Sequence, residues 1–309
     1  MRLRHALRSL ARGLGKIMKT ARMYSILAPA PERFDDYGGE PLTALPVERV
    51  TGKKWEAAVL GTPTTVRAVR ITIPEIENET IDPEDFKAAL KLRQFILDCI
   101  RLVYDPEAEY FRYGDNVPAM WNFLEPDAPP NFSVVIKQPL NEDYRVNVMG
   151  LAHMISALPA LRPIIHLLAN GSDPRMPLQF RFLSHYKIIE MHYRVSDNKR
   201  FREIAEPYVD EFRAIFPSVI NVATLCTELA RLRNKCAHIK LTTGDWGYSH
   251  PLAEPDDLTK VHKIVQRVAI RTVIVNYPNS HLRFAETPEQ ATKDFNEMAA
   301  AGLNPVKVV

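Results

Sequence analysis

The chain has 309 residues, of which 46% are hydrophobic and 25% are charged, and its formal net charge is +3. This composition is that of a globular protein, and it excludes intrinsic disorder and collagen-like or low-complexity chains. No apolar run reaches the ~18 residues that cross a bilayer as a helix, so the sequence predicts a soluble or peripheral protein.

The positive charge is concentrated at the N-terminus. Residues 1–30 contain seven Lys and Arg residues and no carboxylate, and subtracting them from +3 leaves −4 for residues 31–309. Apolar residues recur at spacings of three and four through residues 1–27, which predicts a basic amphipathic helix. Three interpretations stay open for it: contact with an anionic membrane or nucleic acid, an organellar presequence, or a poorly ordered extension.

The next segment, residues 31–145, has the pattern of a small α+β module. Thr65–Ile73 alternates polar and apolar side chains, which predicts a half-buried strand, and Phe132–Lys137 predicts a second strand. Between them, Asp82-Pro83 is a helix start signal. The segment contains no phosphate-binding loop, nucleophile elbow or zinc-protease motif, so it identifies no reaction.

From about residue 145 the sequence has the 3.6-residue period of helices separated by short turns. It predicts an α+β fold class: a small N-terminal α+β module followed by a mainly α-helical bundle. The predicted organisation is a basic N-terminal extension, the module, the bundle and a C-terminal tail, at residues 1–30, 31–145, 146–280 and 281–309. The predicted helices of the second half lie near 147–169, 177–195, 199–215, 218–238 and 255–276.

Cysteine and histidine spacing gives no sign of a metal centre. Cys99, Cys226 and Cys236 lie in predicted helices without C-x-x-C pairing, which argues against a disulfide framework or a zinc ribbon and favours a reducing cytoplasm. His185 and His192 are seven residues apart and share a helical face, but they lack nearby acidic or thiolate partners. The sequence therefore predicts no metal and no cofactor.

Helical geometry sorts the side chains of the 218–238 helix into two faces. At about 100° per residue, an apolar stripe lies within about 60° of Leu229, and Arg233 falls inside it. Arg231, Asn234 and His238 lie together on the opposite side. The other members of the stripe are Val222, Leu225, Cys226, Leu232 and Cys236.

An arginine on a buried face needs a partner, because an unpaired charge in a core is costly. The 177–195 helix offers one, since Glu190 lies within its apolar stripe at about 40° from Tyr186. We therefore predict an ion pair between Glu190 and Arg233 across two packed helices. The alternative is that each side chain points to solvent at the edge of its stripe.

These residues resemble a known family. Arg233-Asn234-Lys235-Cys236-Ala237-His238 is similar to the signature of the HEPN domain, an arginine, a polar residue and a histidine after four to six intervening residues near the end of a helix. Phe182–Glu190 resembles the aromatic-rich helix ending in Glu of several bacterial HEPN groups. The resemblance covers about residues 147–277 and includes HEPN-like methylamine-utilisation proteins of the J type. His238 is followed by Ile239-Lys240, so the H-x-Y variant of nucleotidyltransferase-coupled HEPN toxins is absent.

The resemblance implies a HEPN-like bundle that dimerises, brings two Arg/His motifs into one cleft and cleaves RNA without metal in stress, defence or toxin systems. His238 would exchange protons with the ribose 2′-OH or the leaving 5′-oxygen, and Arg233 would stabilise the pentavalent phosphate. Asn234 would orient the imidazole or contact phosphate, and Arg231 becomes the phosphate contact if Glu190 occupies Arg233. The implied partners are RNA, a second copy of the chain and a protein partner or antitoxin; membrane contact rests on the basic N-terminal helix alone.

A second interpretation gives the same motif a structural role. In a non-catalytic HEPN-like binding or accessory protein, linked to methylamine utilisation, Arg233 and Asn234 would hold the fold. A histidine at a helix C-terminus such as His238 is favourable through the helix dipole without any catalysis. The net charge of −4 over residues 31–309 also gives no general attraction for RNA.

Overall fold

The structure is a computed structural model. It describes residues 17–27, 33–49, 51–62, 65–103, 119–135, 151, 154–155, 161–173, 176–193, 199–237, 256–277 and 306–308. The described residues belong to two compact units, one within residues 1–159 and 297–309 and the other within residues 160–296. The first unit contains the strands and the second is helical, so the chain has the mixed α and β composition that the sequence predicted. The predicted domain boundary at residues 145 and 146 lies outside the described residues.

The strands of the first unit are β1 Met18–Ile26, β2 Arg33–Asp36, β3 Thr43–Arg49, β4 Lys54–Thr62, β5 Thr65–Glu77, β6 Ala119–Leu124, β7 Phe132–Val135 and β8 Val306–Val308. Six of them form one sheet in the order β6-β1-β5-β4-β3-β8, and β2 pairs with β7 in a second, antiparallel sheet. The large sheet is antiparallel except for the parallel pair of β3 and β8. β8 therefore brings part of the predicted C-terminal tail into the sheet of the first unit.

β1 corrects the prediction for the N-terminus. Residues 18–26 form a strand and not the end of an amphipathic helix, and β1 pairs with β5 on one side and with β6 on the other. The side chains from Thr20 to Ser25 are all buried, so both faces of the strand are covered. Pairing along both edges and burial of both faces outweigh the weak local preference for helix. Residues 1–16 of the predicted helix lie outside the described residues.

One face of the large sheet is covered by a helix, α1 Pro83–Val103. The helix begins at an N-cap, because Asp82 Oδ1 accepts a hydrogen bond from Glu84 N at 2.9 Å. Arg93 Nε donates to Ser25 Oγ at 2.7 Å, which links α1 to the C-terminal end of β1. The helix predicted to start at Asp82-Pro83 is thereby confirmed.

The opposite face of the large sheet carries an aromatic cluster. Tyr24 alternates with Ser25 along β1 and therefore lies on the other side of the sheet. Its ring stacks on Phe132 of β7 with centroids 4.1 Å apart, and Phe34 of β2 packs edge-on at 6.5 Å. Ala58 and Ala68 supply small side chains beneath this cluster, which lets the two-stranded sheet approach closely. The strand predicted at 65–73 is confirmed within β5, and the strand predicted at 132–137 is confirmed over Phe132–Val135, since residues 136 and 137 lie outside the described residues.

The second unit contains helices α2 Arg162–Ser172, α3 Leu178–His192, α4 Lys199–Ala205, α5 Val209–Ile215, α6 Val222–Ala237 and α7 Asp256–Asn276. α3 is central, since it packs against α2, α6 and α7. Its inner face is fully buried at Phe182, Ile188 and Ile189. Among the described helices, none is both long and apolar enough to cross a membrane.

Three predicted helices have different limits in the structure. The helix predicted at 147–169 corresponds to α2, which spans Arg162–Ser172, and residues 156–160 lie outside the described residues. The helix predicted at 199–215 is divided by a 3₁₀ turn at Glu206–Tyr208, because Pro207 has no N–H with which to continue the helical hydrogen bonds. The helix predicted from residue 218 begins at Val222. Asn221 caps it, with Oδ1 accepting from Thr224 N at 3.0 Å while Thr224 Oγ1 accepts from Asn221 N at 3.0 Å.

Candidate functional site

The candidate site lies on α6, the helix that carries the Arg-Asn-x-x-x-His motif. The predicted apolar stripe is buried, at Val222, Leu225, Cys226, Leu229, Leu232 and Cys236. This stripe packs α6 against α3 and fixes the rotation of the helix about its axis. The polar residues near the C-terminal end of α6 are therefore presented along the edge of the α3–α6 contact and on its outer side.

Glu190 of α3 and Arg233 of α6 meet at that edge. Glu190 Oε1 lies 3.9 Å from Arg233 Nη2, and the side chains are 47% and 35% exposed. The two charges are thus close, as predicted, but they lie at the rim and not on buried faces. Arg233 stands at the border of its stripe, where a long side chain can extend its charged end to water. An ion pair in this setting contributes about 1 kcal/mol or less to stability.

Asn234 orients the same guanidinium. Its side-chain oxygen accepts a hydrogen bond from Arg233 Nη1 at 3.2 Å, and the residue is exposed. Tyr186 is buried nearby on α3, and burial and the charge of Glu190 raise the pKa of its phenol while Arg233 opposes the shift. The phenol is therefore neutral at physiological pH, and Arg233 is the cation that Glu190 and Asn234 hold.

Arg231, the alternative phosphate contact, is held by its own helix. Its Nε donates to both carboxylate oxygens of Glu228 at 3.0 Å, and its guanidinium lies over the ring of Phe216 at 5.8 Å. The side chain is 45% exposed, but a bidentate carboxylate already matches the forked donor geometry that a phosphate would use. Arg231 is thus less suited than Arg233 to capture a phosphate.

The histidine of the motif, His238, lies outside the described residues, which end on α6 at Ala237. Cys236, inside the motif, is buried, and burial raises the pKa of its thiol to about 12. A thiol with this pKa is protonated at neutral pH and is a poor nucleophile. Cys236 therefore packs α6 against its neighbours and offers no nucleophile at the motif.

The structure also contains a buried histidine pair that the sequence patterns did not predict. His185 of α3 and His262 of α7 are 0% and 3% exposed, and His185 Nδ1 lies 3.1 Å from His262 Nε2. His262 Nε2 also lies 3.0 Å from the carbonyl oxygen of Gly171, which can only accept a hydrogen bond. His262 therefore carries its proton on Nε2, and His185 Nδ1 accepts. The proton of neutral His185 then resides on Nε2, a buried atom without a hydrogen-bond partner.

Both imidazoles of this pair are neutral at physiological pH. Burial, with the charges of His262 and Arg181, lowers the pKa of His185 from 6.5 to about 3. Burial and Arg181 lower the pKa of His262 to about 4, although the bond to Gly171 opposes the shift. The pair joins α3 and α7 to the last turn of α2 and is closed to solvent. It is a packing feature and not a general acid or base for an external substrate.

The other histidine of α3 is separate from this pair. His192, predicted to share a face with His185, has its Nδ1 2.7 Å from the Ile188 carbonyl oxygen and its Nε2 3.1 Å from the Tyr277 hydroxyl. Within the described residues no group of three or more His, Cys, Asp or Glu side chains could hold a metal ion. Cys99, Cys226 and Cys236 are unpaired and buried.

No protein-family model, curated protein or solved structure matches this chain. The resemblance to the HEPN family therefore rests on the motif residues and on the Phe182–Glu190 helix.

Proposed function

We propose that the helical unit is a HEPN-like domain that cleaves RNA without a metal ion, through Arg233, Asn234 and His238. The observation that supports this most directly is the placement of Arg233. It is half-exposed at the end of α6 and is oriented by Glu190 and Asn234 in the turn that precedes His238. An arginine held in this way can meet a phosphate with its remaining N–H groups.

The reaction needs a proton acceptor, a proton donor and stabilisation of a pentavalent phosphorus. The ribose 2′-oxygen attacks the adjacent phosphorus, the bond from phosphorus to the 5′-oxygen breaks, and the products are a 2′,3′-cyclic phosphate and a 5′-hydroxyl. His238 of one copy takes the 2′-hydroxyl proton, and His238 of a second copy, as the imidazolium, gives a proton to the leaving 5′-oxygen, because an ordinary imidazole titrates near pH 6.5. Arg233 stabilises the charge on the equatorial oxygens.

Glu190 reduces the net positive charge of the site and also holds the Arg233 guanidinium in place. A carboxylate 3.9 Å away reduces the net positive charge around Arg233. The pair is half-exposed, however, so water screens it and a phosphate can compete for the guanidinium. We therefore expect Glu190→Gln to bind RNA more tightly but to turn over more slowly, because it holds Arg233 less firmly.

The test uses the full-length protein, mixed RNA and a chelator. We expect cleavage with cyclic phosphate ends, no cleavage of DNA or of 2′-O-methyl RNA, and at least a hundredfold slower cleavage by His238→Ala and Arg233→Gln. Arg271→Gln is the matched control, since Arg271 is an exposed arginine on α7 of the same unit. Wild-type protein that leaves RNA intact, or equal cleavage by His238→Ala, refutes the catalytic proposal. RNA binding without cleavage would favour the binding or accessory function.

A further inference from the structure

The first unit contains a buried pair of arginines that the proposed function does not use. Arg22 of β1 and Arg70 of β5 are 8% and 6% exposed. In the register of these strands Arg22 lies opposite Thr72 and Tyr24 lies opposite Arg70. The two arginines are therefore diagonal neighbours on one face of the sheet, the face that carries the Tyr24 ring.

Arg70 is paired with carboxylates. Its Nη1 donates to Asp36 Oδ2 at 2.7 Å and its Nη2 to Glu56 Oε1 at 3.1 Å. The Tyr24 hydroxyl donates to the same oxygen of Asp36 at 2.9 Å. Asp36 is buried, whereas the Glu56 side chain is 48% exposed. One buried carboxylate thus serves both Arg70 and Tyr24.

Arg22 has no carboxylate partner among the residues that the structure describes. Its Nη2 donates to the carbonyl oxygen of Ala128 at 2.8 Å, while its Nη1 is buried without a hydrogen-bond partner. Arg70 Nε is likewise buried without a partner. Burial lowers the pKa of Arg22 and the charge of Arg70 adds to this, while the charges of Asp36 and Glu56 oppose it, yet arginine remains protonated at neutral pH. Asp36 and the half-exposed Glu56 both contact Arg70, so Arg22 is the buried cation that has only a neutral acceptor in direct contact, which is an unfavourable setting for a charge.

We propose that Arg22 and Arg70 form a subsite for an oxyanion, the phosphate or carboxylate group of a small ligand. Planar guanidinium groups recognise such anions by forked hydrogen bonds. A bound oxyanion would give Arg22 Nη1 its missing acceptor and would place a negative charge in direct contact with the Arg22 guanidinium. The site belongs to the first unit and does not depend on RNA cleavage at Arg233.

The segment over Arg22 gives the ligand a route. Residues 125–131 connect β6 to β7, and five of these seven residues are exposed. The segment is attached to the sheet by the bond from Asn122 Nδ2 to the Asn131 carbonyl oxygen at 3.0 Å. Its Ala128 carbonyl occupies one nitrogen of Arg22 with a neutral acceptor. An anion that displaces this carbonyl would engage both terminal nitrogens of the guanidinium, so entry requires an outward movement of residues 125–131.

The experiment measures binding of inorganic phosphate, and of acetate in a separate arm, by the full-length protein at constant ionic strength set with sodium chloride. We expect saturable binding by calorimetry and a melting temperature that rises by a few degrees. Arg22→Met should weaken binding at least tenfold and remove the thermal shift, while its melting temperature in chloride equals or exceeds that of the wild type, because an unpaired buried charge is gone. Phosphate or acetate, whichever binds more tightly, identifies the class of the ligand group.

Three further variants show whether the anion binds at Arg22 and Arg70. Arg233→Gln should retain the binding, which excludes the candidate RNA site as its source. Arg93→Met removes a buried arginine whose bond to Ser25 places it on the opposite face of the sheet, and it should also retain the binding. Arg22→Lys keeps the charge if Arg22→Met does not fold, and it should bind more weakly than the wild type. Absence of binding by the wild type, or unchanged binding by the Arg22 variants, overturns the proposal.

Discussion

Acidification should destabilise the helical unit through the His185–His262 pair. Both pKa values are lower in the folded protein, at about 3 and about 4, than the value of 6.5 for an unperturbed histidine. The unfolded chain therefore binds protons in a range of pH where the folded chain does not. The free energy of unfolding is unaffected by these groups above pH 6.5, and it decreases as the pH falls from 6.5 towards 4.

The pKa values set the size of the effect. Between pH 7 and pH 5 each histidine lowers the free energy of unfolding by about 2 kcal/mol, and the pair lowers it by about 4 kcal/mol. His185→Leu removes one of the two titrating groups together with the unpartnered buried Nε2–H. The variant should therefore lose only about 2 kcal/mol over the same interval.

Urea unfolding followed by circular dichroism at 222 nm, which reports mainly on helices, measures these free energies at pH 7, 6 and 5. Phe182→Leu is the control, because it alters the buried core of the same helix without changing a titrating group. It should lower stability by a similar amount at each pH. If His185→Leu and the wild type lose the same free energy between pH 7 and pH 5, the buried neutral pair is not the cause of the acid sensitivity.

Two further substitutions test contacts that lie within one unit each: a close approach in the helical unit and a buried ion pair in the first unit. A Cβ atom at Gly171 would lie 2.5 Å from His185 Nε2, so Gly171→Ala should lower the free energy of unfolding by about 1–3 kcal/mol. Most of that loss should disappear in the background of His185→Ala. Additive losses in a double-mutant cycle would contradict the contact. Asp36→Asn leaves the buried Arg70 without its closest charge partner and should cost about 3–5 kcal/mol, whereas Asp210→Asn, in an exposed pair, should cost less than about 1 kcal/mol. Similar losses for the two Asp substitutions would show that burial does not govern these pairs.

Local patterns in the sequence were sufficient to predict a helix or strand where one side of the element faces a core and the other faces water. The alternation at Thr65–Ile73 predicted a strand that the structure confirms within β5, and the cap at Asp82 predicted the start of α1. The apolar stripe of α6 was also predictable, because a helix packed on one side repeats its buried residues every three or four positions. Periodicity of this kind is a local property that requires no knowledge of the partner element.

Local patterns did not predict the conformation of β1. Residues 18–26 are buried on both faces and pair on both edges, so they carry no one-sided pattern, and their spacing continued the helical period of the preceding residues. What decides their conformation is hydrogen bonding to β5 and β6, which lie about 40–100 residues later in the chain. The basic residues Lys19 and Arg22 thus belong to the sheet and not to a separate N-terminal helix.

The sequence alone determined the mixed α and β character, the apolar stripe of α6 and the identity of the charged residues near its end. Only the tertiary structure decided where those charges lie: Glu190 and Arg233 at a half-exposed rim, Arg22 and Arg70 inside the first unit, and His185 against His262. The physical reason is that the burial of a charge depends on which distant segments cover it. Helical spacing specifies the face on which a residue lies, but not what that face contacts.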